Sequence, residues 1–255
     1  MLKFDVNLSL LFTDLPLLER PEAAAKAGFD AVELWWPFAG PQPSDRELDA
    51  LKGAIDDAGV HLVALNFDAG DLAAGDRGLL ARPDGSARFR ANVDVAAGFA
   101  AELGCTVLNA LYGNDPGTDH DLAAENLALA ADVAARAGAT VVLEPLNSQE
   151  CPHYPITSSR AAFAVIDAVG RDNVALLADL YHLHVMGEDV LALIDTATPR
   201  FGHVQIADDP GRGQPGSGSM PYPEILTRLE AAGYQGHVGL EYRHQGPGAF
   251  AWRNP

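Results

Sequence analysis

The chain of 255 residues carries 35 acidic and 17 basic side chains, a formal net charge of −18. Such a surface argues against nucleic acid and anionic membranes as partners unless a basic patch overrides it, and here the Lys and Arg residues are scattered. With 48% hydrophobic and 20% charged residues the composition is far from that of disordered chains, and the length fits one domain with one large core.

The opening run MLKFDVNLSLLF is apolar, but Asp5 and Asn7 interrupt it and no small-residue cleavage site follows. It therefore reads as a first strand at 4–8 and not as a signal peptide. Apolar residues at helical spacing cover 15–27. One pattern then recurs six times: an Ala-rich helical stretch, a glycine, and a β-rich apolar run closing on a polar residue. The instances are AGFDAVEL, AGVHLVALN, LGCTVLN, AGATVVLE, VGRDNVALLAD and AGYQGHVGLE, with the glycine at Gly28, Gly59, Gly104, Gly138, Gly170 and Gly233. Each glycine is placed to end a helix in the left-handed conformation and release the chain into a strand.

The pattern predicts strands at 31–34, 61–66, 106–110, 140–144, 174–178 and 237–241, and the run Phe201 to Ile206 adds one at 201–206. Helices are predicted at 44–58, 88–103, 121–137, 158–169, 188–196 and 223–232. Eight strands alternating with helices imply a parallel sheet, and strands as apolar as VVL and VALLA imply cover on both faces. The count of eight and the lack of a G-x-G-x-x-G turn favour an α/β fold of the (β/α)₈ TIM barrel type over a doubly wound sheet. A single barrel domain then spans 1–255, its eighth helix short or missing because little chain follows the last strand. No run of 18 apolar residues is present to span a membrane. Cys105 and Cys151 match neither a zinc pair nor a disulfide framework, so a reducing, cytoplasmic location is expected.

Barrels of this kind carry their chemistry at the carboxyl ends of the strands. Here Glu33 lies in the second strand, Asn66 ends the third and Asn109 lies in the fourth, while Glu144, Asp179, Gln205 and Glu241 stand at the ends of the fifth to eighth. Singly, such a residue caps the next helix or meets solvent. Four at consecutive strands favour a site, and carboxylates gathered at an apolar mouth repel one another unless a cation joins them. An all-oxygen set of Glu144, Asp179, Gln205 through its amide carbonyl, and Glu241 suits one divalent metal ion, Mg²⁺ or Mn²⁺, with Zn²⁺ still open.

Candidate substrate contacts surround that set. His182 follows Asp179 by three residues, and His203 shares a face with Gln205. Arg212 lies in the glycine- and proline-rich loop DDPGRGQPGSG, which is costly to order and is read as closing on a ligand. Asn66 and the loop DAGDLAAGDRG, with Gly70 and Arg77, line the mouth opposite. Each has a plainer alternative as a core histidine or a solvated charge, and His184 reads as structural.

The segments NFDAGDLAAGDRG at 66–78, ENL at 125–127, LEPLN at 143–147, DLYH at 179–182, GHVQIADDPGRGQPGSG at 202–218 and LEYR at 240–243 together resemble the hydroxypyruvate isomerase family. That family belongs to the xylose-isomerase-like barrels, as do the ketose 3-epimerases, and the likeness runs over nearly the whole chain. The resemblance implies metal ligation by Glu144, Asp179, Gln205 and Glu241, an acid/base pair of Glu144 and Glu241, and substrate contacts from His182 and Arg212. It further implies a small hydroxy-oxo acid substrate, hydroxypyruvate giving tartronate semialdehyde through a cis-enediolate. A ketose 3-epimerase or 2-oxo-tetronate isomerase using the same groups is the nearest alternative, and a non-catalytic relative that binds sugar acids is a further one. Gln205 stands where epimerases generally have His. Two departures bear on the transfer: Gln214 and Ser219 replace acidic residues usual in the family, and the early chain end bears on subunit contacts, so a homo-oligomer is left open. The DNA-repair endonuclease sharing this barrel needs a His-rich three-metal site whose ligands are missing here.

Overall fold

The computed structural model describes residues 1–244 and 248–253. Eight parallel strands form a closed barrel in sequence order. They are β1 (Lys3–Asn7), β2 (Ala31–Leu34), β3 (His61–Asn66), β4 (Val107–Asn109), β5 (Thr140–Leu143), β6 (Val174–Asp179), β7 (Phe201–Ile206) and β8 (His237–Leu240). The expected (β/α)₈ architecture is therefore what the chain adopts, and β1 closes the ring by pairing Phe4 with Val238 and Val6 with Leu240.

The crossovers are α1 (Arg20–Lys26), α2 (Asp45–Ala58), α3 (Ser86–Glu102), α4 (His120–Arg136), α5 (Ser159–Val169), the pair α6 (Leu180–Val185) and α7 (Val190–Ala197), and α8 (Tyr222–Ala231). Two boundaries differ from expectation. The helix expected at 15–27 is a 3₁₀ turn over Leu17–Glu19 followed by α1, because Pro16 and Pro21 each supply a preset φ that restarts the helix. The short α6 was not anticipated: the Asp179 carboxylate accepts from Tyr181 N and His182 N, so one residue both ends a strand and caps a helix. All six glycines of the repeat have positive φ, between 61° and 85°.

Helix positions follow from their apolar faces. In α2 a Ser44–Glu47 capping box starts the helix, and Leu51 and Ile55 bury against the sheet, worth roughly 1.5–3 kcal/mol each. Among the described residues, only a 3₁₀ turn at Ala251–Arg253 follows β8, as the short tail predicts. An aromatic cover takes the helix's place at the seam: Trp252 packs edge-on to Phe4, Phe250 to Phe29, and Arg253 lies over the Phe29 ring.

Candidate active site

The strand pleat sends Asp5, Asn7, Glu33, Asn109, Asp179, His203 and Gln205 into the barrel, and all are buried. Above them lies a cavity of about 320 Å³, lined by Glu144, Glu241, His182, Arg212, Asn66 and Arg77 among the expected residues, and by Trp35, Trp36, Glu150, Cys151 and Arg243 among the others. His203 is the exception. Its Nε2 lies 2.7 Å from Glu33 Oε2 and 3.9 Å from Asp5 Oδ2, inside the barrel beneath the cavity, so the expected substrate contact is instead a partner of Glu33.

The carboxylates are held by donors from neighbouring strands. Asn109 Nδ2 donates to Glu144 Oε2 at 2.7 Å. Glu241 Oε1 accepts from Asn7 Nδ2 at 2.9 Å and Trp35 Nε1 at 2.8 Å, and its Oε2 forms a close ion pair with Arg212 Nη2. Glu33 Oε1 accepts from Asn7 Nδ2 and from Gln205 Nε2, both at 2.8 Å. A carboxylate only accepts, so the Gln205 amide must present nitrogen to Glu33 and turn its carbonyl away. That carbonyl Oε1 and Asp179 Oδ2 are both buried with no hydrogen-bond partner. Two orphaned oxygens beside further carboxylates are costly in a protein interior, and a hard cation would satisfy them. Glu144, Asp179 and His182 offer ligand atoms within 4.8 Å of one another, as do Asp5, Glu33 and His203.

Electrostatics sharpen the picture. Burial, reinforced by Glu241 and Asp179, raises Glu144 well above the usual carboxylate range. Burial pushes Glu241 up to about 8 against the pull of Arg212, and Asp179 up to about 6. His182 is driven well below its ordinary value, first by burial and then by Arg212 and Arg77, so the ring is neutral. Its Nδ1 accepts from Asn147 N at 3.1 Å, which leaves the hydrogen on Nε2, 3.5 Å from Asp179 Oδ2. In that tautomer His182 is a donor toward the cavity and not a metal ligand.

Arg212 is heavily committed. Besides Glu241 it contacts Glu150 Oε2 at 3.2 Å and Asp179 Oδ2 at 3.6 Å, and Tyr181 OH donates to the other Glu150 oxygen at 3.0 Å. Its loop is tied down by the buried Asp208 carboxylate, which accepts from the backbone N–H of Gly216, Gly218 and Met220. Ser219 bonds Asp209 O from both its N and Oγ, and neither it nor Gln214 lines the cavity. Cys105 and Cys151 are free and buried, and burial pushes the Cys151 thiol up to about 11, which keeps it a poor nucleophile. Sequence reasoning missed Asn7, Trp35, Asn147, Glu150 and Tyr181. Asn7 alone left a trace, as a polar residue at the end of an apolar strand.

The family profile described as xylose isomerase-like TIM barrel matches residues 21–254. A Streptomyces coelicolor relative, named provisionally as a hydroxypyruvate isomerase, is 57% identical over 267 residues, covering 98% of this chain and 95% of its own. The hydroxypyruvate isomerase of Escherichia coli is 34% identical, with 96% and 95% covered. A 2-oxo-tetronate isomerase of Pectobacterium atrosepticum is 33% identical, with 100% and 98% covered. Among solved structures, one from Brucella melitensis described as an AP endonuclease of family 2 superposes with a TM-score of 0.91 at 38% identity, covering 99% of this chain and 98% of its own.

Proposed function

The chain belongs to the xylose isomerase-like TIM barrel family, and within it to the hydroxypyruvate isomerase family; from that premise we propose that it interconverts hydroxypyruvate and tartronate semialdehyde, with Glu144 and Glu241 moving the proton. The observation that carries the reading is that these two glutamates line one cavity, with buried oxygens of Asp179 and Gln205 that receive no hydrogen bond. The four residues form an oxygen donor set fit for Mg²⁺ or Mn²⁺, and their orphaned atoms are those a cation would use. Held by these residues, such an ion would supply Lewis-acid polarisation of the substrate carbonyl and a positive charge that favours the ionised form of Glu144.

The chain's own groups supply the rest. Glu144 has one oxygen tied to Asn109 and the other without a hydrogen-bond partner among the described residues, which suits a base taking the C3 proton of hydroxypyruvate. The electrons left behind form the C2–C3 double bond of a cis-enediolate. The His182 Nε2–H is placed to donate to an oxygen of that species as its charge grows. Glu241, oriented by Asn7, Trp35 and Arg212, returns a proton to C2, while the O3 hydroxyl proton is lost as O3 becomes the aldehyde oxygen and O2 gains one. Trp35, Trp36 and Leu146 wall the cavity and limit access of water to the reacting carbons.

The test is to incubate the Mg²⁺- or Mn²⁺-loaded protein with hydroxypyruvate in D₂O and follow products by proton NMR. Tartronate semialdehyde carrying deuterium is expected. The variants E144Q and E241Q should lose about 10²–10⁴-fold in kcat while keeping the fold. Absence of product and of exchange would sink the reading. A second reading, the 2-oxo-tetronate isomerase, is favoured by a relative of that name at 33% identity and by a cavity whose volume admits a four-carbon acid. The ratio of kcat/KM for the two acids decides between them.

A further inference from the structure

The substrate class of that reading carries a carboxylate, and something in the cavity must receive it. Arg212 is the obvious candidate by type, yet its guanidinium already meets Glu241, Glu150 and Asp179. A second anion brought there would have to compete with three carboxyl groups for one guanidinium. Another arginine of the lining is different. Arg77 lines the cavity, is partly buried, and forms no ion pair among the described residues. Its hydrogen bonds run from Nη1 alone, to Leu72 O at 3.1 Å and Asp76 O at 2.6 Å. Nε and Nη2, the edge of the fork that grips a carboxylate through two parallel bonds, have no hydrogen-bond partner among the described residues. The charge reaches the cavity: after burial and Arg212 it adds to the lowering of His182, and it opposes the rise that burial gives the Cys151 thiol.

The segment that carries Arg77 is built to hold it still. Gly78 has φ +104°, and a Cβ there would lie 2.1 Å from Leu111 O; Gly70 has φ +89°, and a Cβ would lie 2.4 Å from Asp76 Oδ2. Gly78 N donates to Ala69 O, and Gly78 bridges Tyr112, so the loop is stitched to the chain after β4. Little order is left to acquire when a ligand arrives.

We propose that Arg77 is the specificity-determining residue that receives the substrate's carboxylate, while Arg212 positions Glu241. The inference rests on the hydroxy-oxo acid reading above. It implies that the reacting ketol end points toward Glu144 and Glu241, and the acid end toward the loop after β3.

The experiment compares hydroxypyruvate with 1,3-dihydroxyacetone, the same ketol with a neutral CH₂OH in place of the carboxylate. In Arg77→Gln, KM for hydroxypyruvate should rise about 10- to 100-fold with kcat little changed, the loss of charge-assisted bonds. The kcat/KM for dihydroxyacetone should stay within a factor of two. Arg77→Lys keeps the charge and a carbonyl bond but not the fork, and should fall between. Binding of unreactive glycerate and of glycerol to the metal-loaded protein, read by calorimetry, gives an arm that needs no turnover: Arg77→Gln should weaken glycerate alone. An unchanged affinity for glycerate, or a parallel loss for both substrates or both ligands, overturns the assignment. If the wild-type protein binds glycerate through Arg77 yet leaves hydroxypyruvate unconverted, the proposed reaction fails and the carboxylate site stands.

Discussion

Carboxyl groups held protonated by a fold but ionised in the unfolded chain make that fold weaken as pH rises. Glu241 is raised from 4.5 to about 8, and Glu144 is raised well above its ordinary value by burial and by Glu241. For such groups the stabilising share is complete below the unfolded pKa and is lost as pH climbs through the folded one. His182 has the opposite sign: its folded pKa lies below 6.5, so its share grows as pH rises toward 6.5 and is constant above it. The clean window is therefore between pH 6.5 and about 8. There Glu241, protonated in the fold and ionised in the unfolded chain, costs about 1.4 kcal/mol per pH unit, a loss of order 2 kcal/mol across the window, and Glu144 and Asp5, both raised by burial, act in the same direction. At about 2–4 °C per kcal/mol for a chain of this size, the metal-free protein should lose at least about 4–8 °C of Tm. Thermal unfolding followed by circular dichroism in EDTA measures it. Mg²⁺ or Mn²⁺ at about 1,000 times Kd should add about 4 kcal/mol and flatten the slope. E144Q should unfold at higher temperature than wild type at pH 8 without metal, and with a shallower dependence. A metal-free curve that is level or rising over this window, or an E144Q curve parallel to wild type, would refute the account of a charge cluster waiting for a cation.

Other perturbations separate the supporting groups. Trp35→Phe removes one of two donors to Glu241 Oε1 and keeps the wall of the cavity, so kcat should fall about 10- to 100-fold with Tm nearly unchanged, as steady-state kinetics and a melt will tell. Glu33→Gln frees the Gln205 amide to flip, and Mn²⁺ affinity measured by electron paramagnetic resonance should weaken about 10- to 100-fold. Gly239→Ala places a Cβ 2.7 Å from Glu33 Oε2 and 3.0 Å from Gln205 Cγ, both inside the closed ring, so about 1–3 kcal/mol of stability should be lost in a denaturant titration.

The strand ends were readable because an apolar run that closes on an acid or amide carries a residue foreign to an apolar layer; Glu144, Asp179, Gln205 and Glu241 are all buried, and Glu144 and Glu241 line one cavity. The repeat glycines worked for a similar reason: positive φ is a local demand that leaves a local mark. What escaped was relational. Trp35 touches Glu241 across 206 positions of sequence, and nothing near Trp35 announces it. Glu150 looks like any loop acid until Arg212 and Tyr181 are seen on either side of it. Sharing a face with Gln205 says nothing of depth, and His203 meets Glu33 and does not line the cavity.

The seam between β1 and β8 joins the first strand to the eighth, and Asn7 spans it by bonding Glu33 on one side and Glu241 on the other. A half-made ring can hold strands, helices and most of a core, yet it does not hold Glu241, the proposed acid, in place beside Glu144. Turnover is thus a reporter of ring closure: in refolding it should return only in the final phase, after helical signal has recovered. Damage to the aromatic cover over that seam should be felt first as lost chemistry.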